Sequence, residues 1–152
     1  MFSPAYEHTQ HGWMHYLLLA VAAVILAAAV LSPPNPVTNI VLPASAAVLV
    51  FCAFCFRTLT VRDAEDRLEV VFGPLPFFRK EIPYQIVTGV APDRTNWLDG
   101  WGVHYIPRRG WVWNLSGFTC VRLELGEGKA LRIGTDDAEN LAAFLRTKLA
   151  QE

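Results

Sequence analysis

From Trp13 to Phe56 the chain carries no Asp, Glu, Lys or Arg, and that stretch decides what the rest can be. A bilayer core of about 30 Å is crossed by roughly 20 helical residues. Residues 16–31, led in by Trp13 and Tyr16, reach that length, and so do residues 37–56. Between them lies Ser32-Pro33-Pro34-Asn35-Pro36, which cannot be helix because proline lacks the amide proton and clashes with the preceding turn. So short a loop joins only antiparallel neighbours. The pattern predicts a first unit over 1–56, a short leader and a transmembrane helical hairpin (about 14–31 and 37–56), followed by one domain over 57–152.

Each Leu, Val and Ile between Leu17 and Leu31 favours insertion by about 0.3–0.6 kcal/mol. Ala20, Ala23 and Ala27 recur at a spacing that lets helix backbones approach closely, against the second span or another membrane protein. Pro43 predicts a kink in the second span, with Ser45 or a neighbouring helix satisfying the freed carbonyl. The loop between the spans is uncharged, whereas Arg57, Arg62 and Arg67 follow the second one. The positive-inside rule therefore puts both termini and the domain in the cytoplasm. Residues 1–12 hold no Lys or Arg, unlike the n-region of a cleaved signal. They read as an interfacial leader, with Trp13 and Tyr16 at the headgroups. His8, His11 and His15 would share a face if this leader were helical, but no carboxylate stands nearby to complete a metal site.

All 13 Lys and Arg follow Phe56, as do all but Glu7 of the 14 acids, and the net charge is −1. A nearly neutral domain with no basic run argues against nucleic-acid binding, which needs several cations on one face. The three cysteines make no disulfide framework. Cys52 and Cys55 share a helix face and serve as small packing groups. No cofactor or metal ligand set is expected.

Beyond the hairpin the apolar period becomes two. Residues 57–62 alternate β-branched side chains, 63–66 turn, and Leu68, Val70 and Phe72 share one face. A loop with Leu75, Phe77 and Phe78 precedes Arg79-Lys80. Further strands are expected up to Ile82, near 87–91, and over 103–106, 111–115, 120–125 and 130–133. Turns are expected at 107–110 and Glu127-Gly128. Trp111 and Trp113, two apart on one strand, are expected in the core. Asp136 with Glu139 predicts a capping box for a final helix whose Leu141, Phe144, Leu145 and Leu149 form an apolar stripe.

Short antiparallel strands closed by one amphipathic helix suit a small open barrel. The chain resembles bacterial pleckstrin-homology (PH)-like membrane proteins, in which a two-helix anchor precedes such a domain. The resemblance rests on Gly100-Trp101-Gly102-Val103-His104, Trp113-Asn114-Leu115-Ser116-Gly117 and Arg132-Ile133-Gly134-Thr135-Asp136-Asp137, with Phe72-Gly73 and Ile82-Pro83 as weaker markers. It implies a helical hairpin, then a mainly-β PH-like open barrel or split sandwich capped by the C-terminal helix, in the bacterial inner membrane. Phosphoinositide-binding PH domains carry a basic first hairpin loop. Here that loop is Asp63-Ala64-Glu65-Asp66, and the final helix starts with Asp136, Asp137 and Glu139, so anion binding at either place is disfavoured.

For function, no Ser/His/Asp, Cys/His or paired-carboxylate arrangement stands at usable spacing, and only His104, Asp99 and Cys120 could converge. A non-enzymatic scaffold or accessory subunit is expected, bound to another membrane protein or to its own copies. Trp97, Trp101, His104, Arg108 and Arg109 are the candidate partner-binding residues, in an aromatic-and-arginine cluster that takes in Trp111 if it is not core, since Trp and Arg anchor interfaces. A second role is lipid contact, with Leu75, Phe77 and Phe78 dipping into the headgroups while Arg79 and Lys80 meet phosphates. Alternatively those rings cap the end of the barrel.

Overall fold

The computed structural model describes residues 5–75, 77–96 and 101–151. Two helices are long and apolar enough to cross a membrane: α1, Met14–Leu31, with mean hydropathy 2.5, and a helical segment over Val37–Cys55, with mean hydropathy 2.1. The second opens with a π-helical turn over Val37–Val41 and continues as α2, Leu42–Cys55. The wide turn accommodates Pro43, with Leu42 N–H bonded to Val37 O, while the Ser45 hydroxyl donates to Val41 O at 2.8 Å. Asn35 Oδ1 accepts from the amides of Val37 and Thr38 and starts the helix after the prolines. Ala22 of the first helix and Ala46 and Ala53 of the second are buried, and Ala53 lies beside His15, Tyr16 and Leu19. Ala20, Ala23 and Ala27 lie on the outer surface instead, so the small-residue spacing does not make the contact between the helices.

The leader is extended rather than helical. Glu7–His11 is a strand, β1, paired antiparallel with β2, Thr58–Asp63, from Glu7 opposite Arg62 to His11 opposite Thr58. Gly12 N–H reaches Arg57 O at 3.0 Å, which carries the pairing to the foot of the helices. The helical hairpin thus occupies the turn of a β-hairpin. His8 and His11 sit on a strand and His15 on α1, so the three imidazoles share no face. His8 Nε2 instead meets Asp136 Oδ1 at 2.5 Å, and His15 Nδ1 meets Gly12 O at 2.6 Å.

β3, Arg67–Gly73, and β4, Arg79–Pro83, complete a first sheet in the order β1-β2-β3-β4. The second sheet holds β5 (Val87–Arg94), β6 (Gly102–Ile106), β7 (Gly110–Asn114), β8 (Thr119–Leu125) and β9 (Lys129–Gly134), in the order β5-β8-β9-β7-β6. All neighbours are antiparallel except β7 and β9, which run parallel, a departure from the all-antiparallel expectation. The sheets are open and do not close into a barrel. Inner-face residues such as Leu59, Phe72, Leu123 and Ile133 form one core.

The last helix, α3 (Ala138–Leu149), adds Leu141, Ala142 and Leu145 to that core. It leans on β5 and β8 and closes the corner of the sandwich beside them. The predicted capping box does not form, because the N-cap is Asp137 and its side chain makes no cap bond. Both carboxylates tie down the leader instead, Asp136 through His8 and Asp137 through Tyr6 at 3.0 Å. Burial of Tyr6 and its bond to the Asp137 carboxylate push the phenol pKa well up.

Candidate functional site

β7 crosses the first sheet strand by strand. Past its C-terminal end, Ser116 O accepts from Gln10 Nε2 of β1 at 3.0 Å. In its middle Trp113 lies 5.8 Å from Phe72 of β3. At its start Trp111 lines a cleft with Lys80 of β4. β4 is the last strand of its sheet, so β7 runs past the sheet's edge there. That explains two tryptophans of one strand face with opposite fates. Trp113 is 8% exposed and Trp111 is 50% exposed, which corrects the expectation that both are core.

The uncovered corner is a cleft of about 700 Å³. Its floor is apolar and aromatic, with Val103, Leu131 and the Tyr105–Trp111 pair, which lie opposite each other in register with rings 5.7 Å apart. Its rim carries Lys80, Arg108, Arg109 and Lys129, and among the described residues no carboxylate lines it. Glu127 pairs with Lys129 at 2.6 Å, but both side chains are exposed and such a pair is weak.

The turn between β6 and β7 sets the rim. Arg109 N–H closes on Ile106 O at 3.1 Å, and Arg108 sits at φ 68°, where a turn of this kind favours glycine. Gly110 follows at φ 86°, and a Cβ there would collide with the Ala130 carbonyl of β9. Behind the turn Arg132 donates to Arg109 O and pairs with Asp93 at 2.9 Å. Burial opposes ionisation of Asp93, but the Arg94 amide, Arg132 and Arg109 hold its carboxyl below the ordinary range. Arg109 reaches the Arg94 carbonyl at 3.3 Å, while Arg108, Lys80 and Lys129 are exposed at the rim.

The structure divides the sequence-predicted partner cluster. Arg108 and Arg109 are at the cleft. Trp101 is at the other end of β6, edge-on to Trp13 at 5.7 Å, with its indole N–H 3.4 Å from Gly117 O. There it braces the start of α1. His104 faces away from the cleft on the outer side of β6, and Trp97 and Asp99 lie outside the described residues. His104 and Cys120 do not converge, because β7 and β9 separate β6 from β8, a gap of about 14 Å at roughly 4.8 Å per strand. Tyr105 and Lys129 were missed. Tyr105 had a usable signal, since a turn at 107–110 sets it directly opposite Trp111.

The lipid set also divides. Phe78 stacks on Phe56 at 5.2 Å, and Phe56 meets Phe72, so Phe78 helps cap the core. Phe77, 69% exposed, lies 5.6 Å from Phe51 of α2, and Leu75 is also exposed. Arg79 is engaged by Glu69 and Glu81 at 2.5 and 2.7 Å. Glu69 also takes Arg62 at 2.6 Å. Burial opposes ionisation of Glu69, but Arg62 and Arg79 outweigh it and hold the carboxyl low. Lys80 shares the inner face with Ile82 and joins the cleft. In the first hairpin loop Asp66 pairs with Arg67, and Asp63 accepts from Tyr84 at 2.7 Å. Neither carboxylate favours a phosphate there.

Fold and site together define a helical hairpin, long and apolar enough for a membrane, carrying a two-sheet β domain with one cationic, aromatic corner left open. The chain matches no protein-family profile and no curated protein. Among the described residues no His, Cys, Asp and Glu side chains gather in a group able to hold a metal ion.

Proposed function

We propose that this chain is a non-enzymatic, membrane-anchored PH-like protein of the bacterial inner membrane, with both termini cytoplasmic. It acts as an accessory or scaffolding subunit whose cleft takes a segment of another membrane protein. The single observation that carries this reading is the open corner. Trp111 and Tyr105 are large aromatic side chains left exposed above an apolar floor, under a rim of four cations with no lining carboxylate among the described residues. Aromatic and arginine anchors in a concave site are what protein interfaces concentrate their energy in. The PH-like part of the proposal is supported by the order of elements, two sheets followed by a helix in one corner of the sandwich. The short joins at Gly12-Trp13 and Phe56-Arg57 hold the cleft at a set height above the helices.

A photo-crosslinking residue at Tyr105, with one at exposed Thr147 of α3 as control, tests the function in native membranes. A discrete protein adduct from position 105 and not from 147 is expected. The same adducts from both positions, or none from 105, would overturn it.

A second reading has its own observation, the packing of Phe77 on Phe51 of α2. That contact sets Phe77 beside the end of the second span, so this loop touches the lipid interface through apolar surface. With Arg79 held by Glu69 and Glu81, the contact does not depend on anionic headgroups. Tryptophan fluorescence of Phe77→Trp in nanodiscs is expected to be blue-shifted equally in neutral and anionic lipid. Emission at the wavelength of water-exposed tryptophan would refute it.

A further inference from the structure

We infer that the partner segment enters as an added β-strand along the free edge of β4, supplying the strand that the first sheet lacks. This rests on the reading of the cleft as a partner surface and goes further by naming the shape and chemistry of what binds. Three observations carry it.

The first is the edge itself. β4 is a terminal strand, and Arg79, Lys80 and Glu81 are exposed. Phe72 N–H bonds Phe78 O at 2.9 Å, and Tyr84 N–H bonds Asp66 O at 3.1 Å. In an antiparallel ladder bonded pairs alternate with unbonded ones, so Phe78, Lys80, Ile82 and Tyr84 direct their backbone groups to β3. Arg79 and Glu81 direct theirs outward. The free edge therefore offers amide donors at two alternate residues and carbonyls beside them, ending at Pro83, which has no amide proton.

The second is the gap. A strand added about 4.8 Å outside β4 would lie beneath the part of β7 that runs past the edge. Its inward side chains would cover Trp111, Tyr105 and Leu125, the same relation Phe72 already has to Trp113.

The third is charge. Lys80 points inward at the edge, a placement that discourages indiscriminate strand pairing. A carboxylate on the incoming strand turns that obstacle into a pair, and further acids meet Arg108 and Lys129. The occupant is thus an extended protein segment with apolar residues at alternate positions and carboxylates among them, bound as β-strand additions are.

The test uses the full chain in nanodiscs of neutral lipid, panned against a random twelve-residue peptide library with counter-selection on empty discs. Enrichment of alternating apolar and acidic peptides is expected. They should slow amide exchange at Arg79 and Glu81, lose binding on Trp111→Ala, and weaken about tenfold when alternate peptide amides are N-methylated. Peptides that bind and depend on Trp111 but leave exchange at β4 unchanged would overturn strand addition and leave the cleft as a partner surface. Peptides indifferent to both Trp111→Ala and N-methylation, displaced by anionic lipid, or never enriched would overturn both.

Discussion

The two corners of the sandwich are built from the same material and end differently. At the corner beside β5 and β8, α3 lays Leu141, Ala142 and Leu145 into the core. Its flanks are tied down by Tyr6 stacked on Phe144 at 5.3 Å and by Lys148, 5.4 Å over Tyr84 and 3.6 Å from Asp63. At the corner beside β4, the inner face of the second sheet carries Trp111 and Tyr105 and nothing from the described chain covers them. The described residues complete one corner and leave the other open. An exposed aromatic floor rimmed by cations contributes little to folding, so under the proposed function its composition answers to a partner.

The contrast can be broken most directly by truncation. Leu145→Ala empties a fully buried site and is expected to cost about 2–4 kcal/mol, read as a lowered denaturation midpoint of the full chain in detergent. Trp111→Ala is expected to cost under about 1 kcal/mol, because half of that side chain already faces solvent. Equal losses would mean that the two corners play the same part. Next in size is Gly110→Ala, which sets a side chain at φ 86° against the Ala130 carbonyl. A loss of about 1–3 kcal/mol is expected, together with loss of partner adducts from position 105, because the turn and the β7–β9 contact shape the rim. A neutral Gly110→Ala would show that the rim tolerates β7 moving away from β9.

A smaller effect comes from the outer face of the first sheet. Glu69 has its pKa lowered, so its stabilising contribution is present above the unfolded carboxylate range and is lost as pH falls through the folded value. Acidification below about pH 4 should therefore destabilise the native chain more than Glu69→Gln. The difference should be about 1 kcal/mol, since both arginines are half exposed and screened. Parallel pH curves for the two proteins would remove the Arg62–Glu69–Arg79 network from the account of β4's position.

What was legible in the sequence follows from how each element is specified. α1, the second helical segment and most of the strands from β2 to β9 announce themselves through apolar periods, β4 by Ile82 alone, and α3 through its Leu and Phe stripe. β1 does not, because only Gln10 of Glu7–His11 is buried, so no alternation marks it as a strand. The parallel β7–β9 pair and the exposure of Trp111 depend on which strand comes last in each sheet, a non-local fact that no period encodes. Trp111 and Trp113 share a face, and that much the period shows. Which of them lies over a strand is decided by β4 being the last. The candidate site was half visible for the same reason. Arg108 and Arg109 were found as charges on a turn, whereas Lys80, assigned to lipid, joined them only once the sheets crossed.

The finest test concerns Arg108, at once an exposed cation of the rim and a residue in the left-handed region at φ 68°. A side chain there costs about 1–2 kcal/mol. Glycine would remove that strain, while the greater freedom of its unfolded chain returns about 0.4–1 kcal/mol. Arg108→Gly is therefore expected to raise stability by about 0.5 kcal/mol, measured by denaturation in detergent, and to reduce crosslinked partner at position 105. Arg108→Lys should keep the strain and retain part of the binding. If Arg108→Gly loses stability, the guanidinium is serving the fold, and the open corner is less separate from the closed one than its exposed side chains imply. If it gains stability and loses the partner, the strained cation is a feature the fold bears for binding alone.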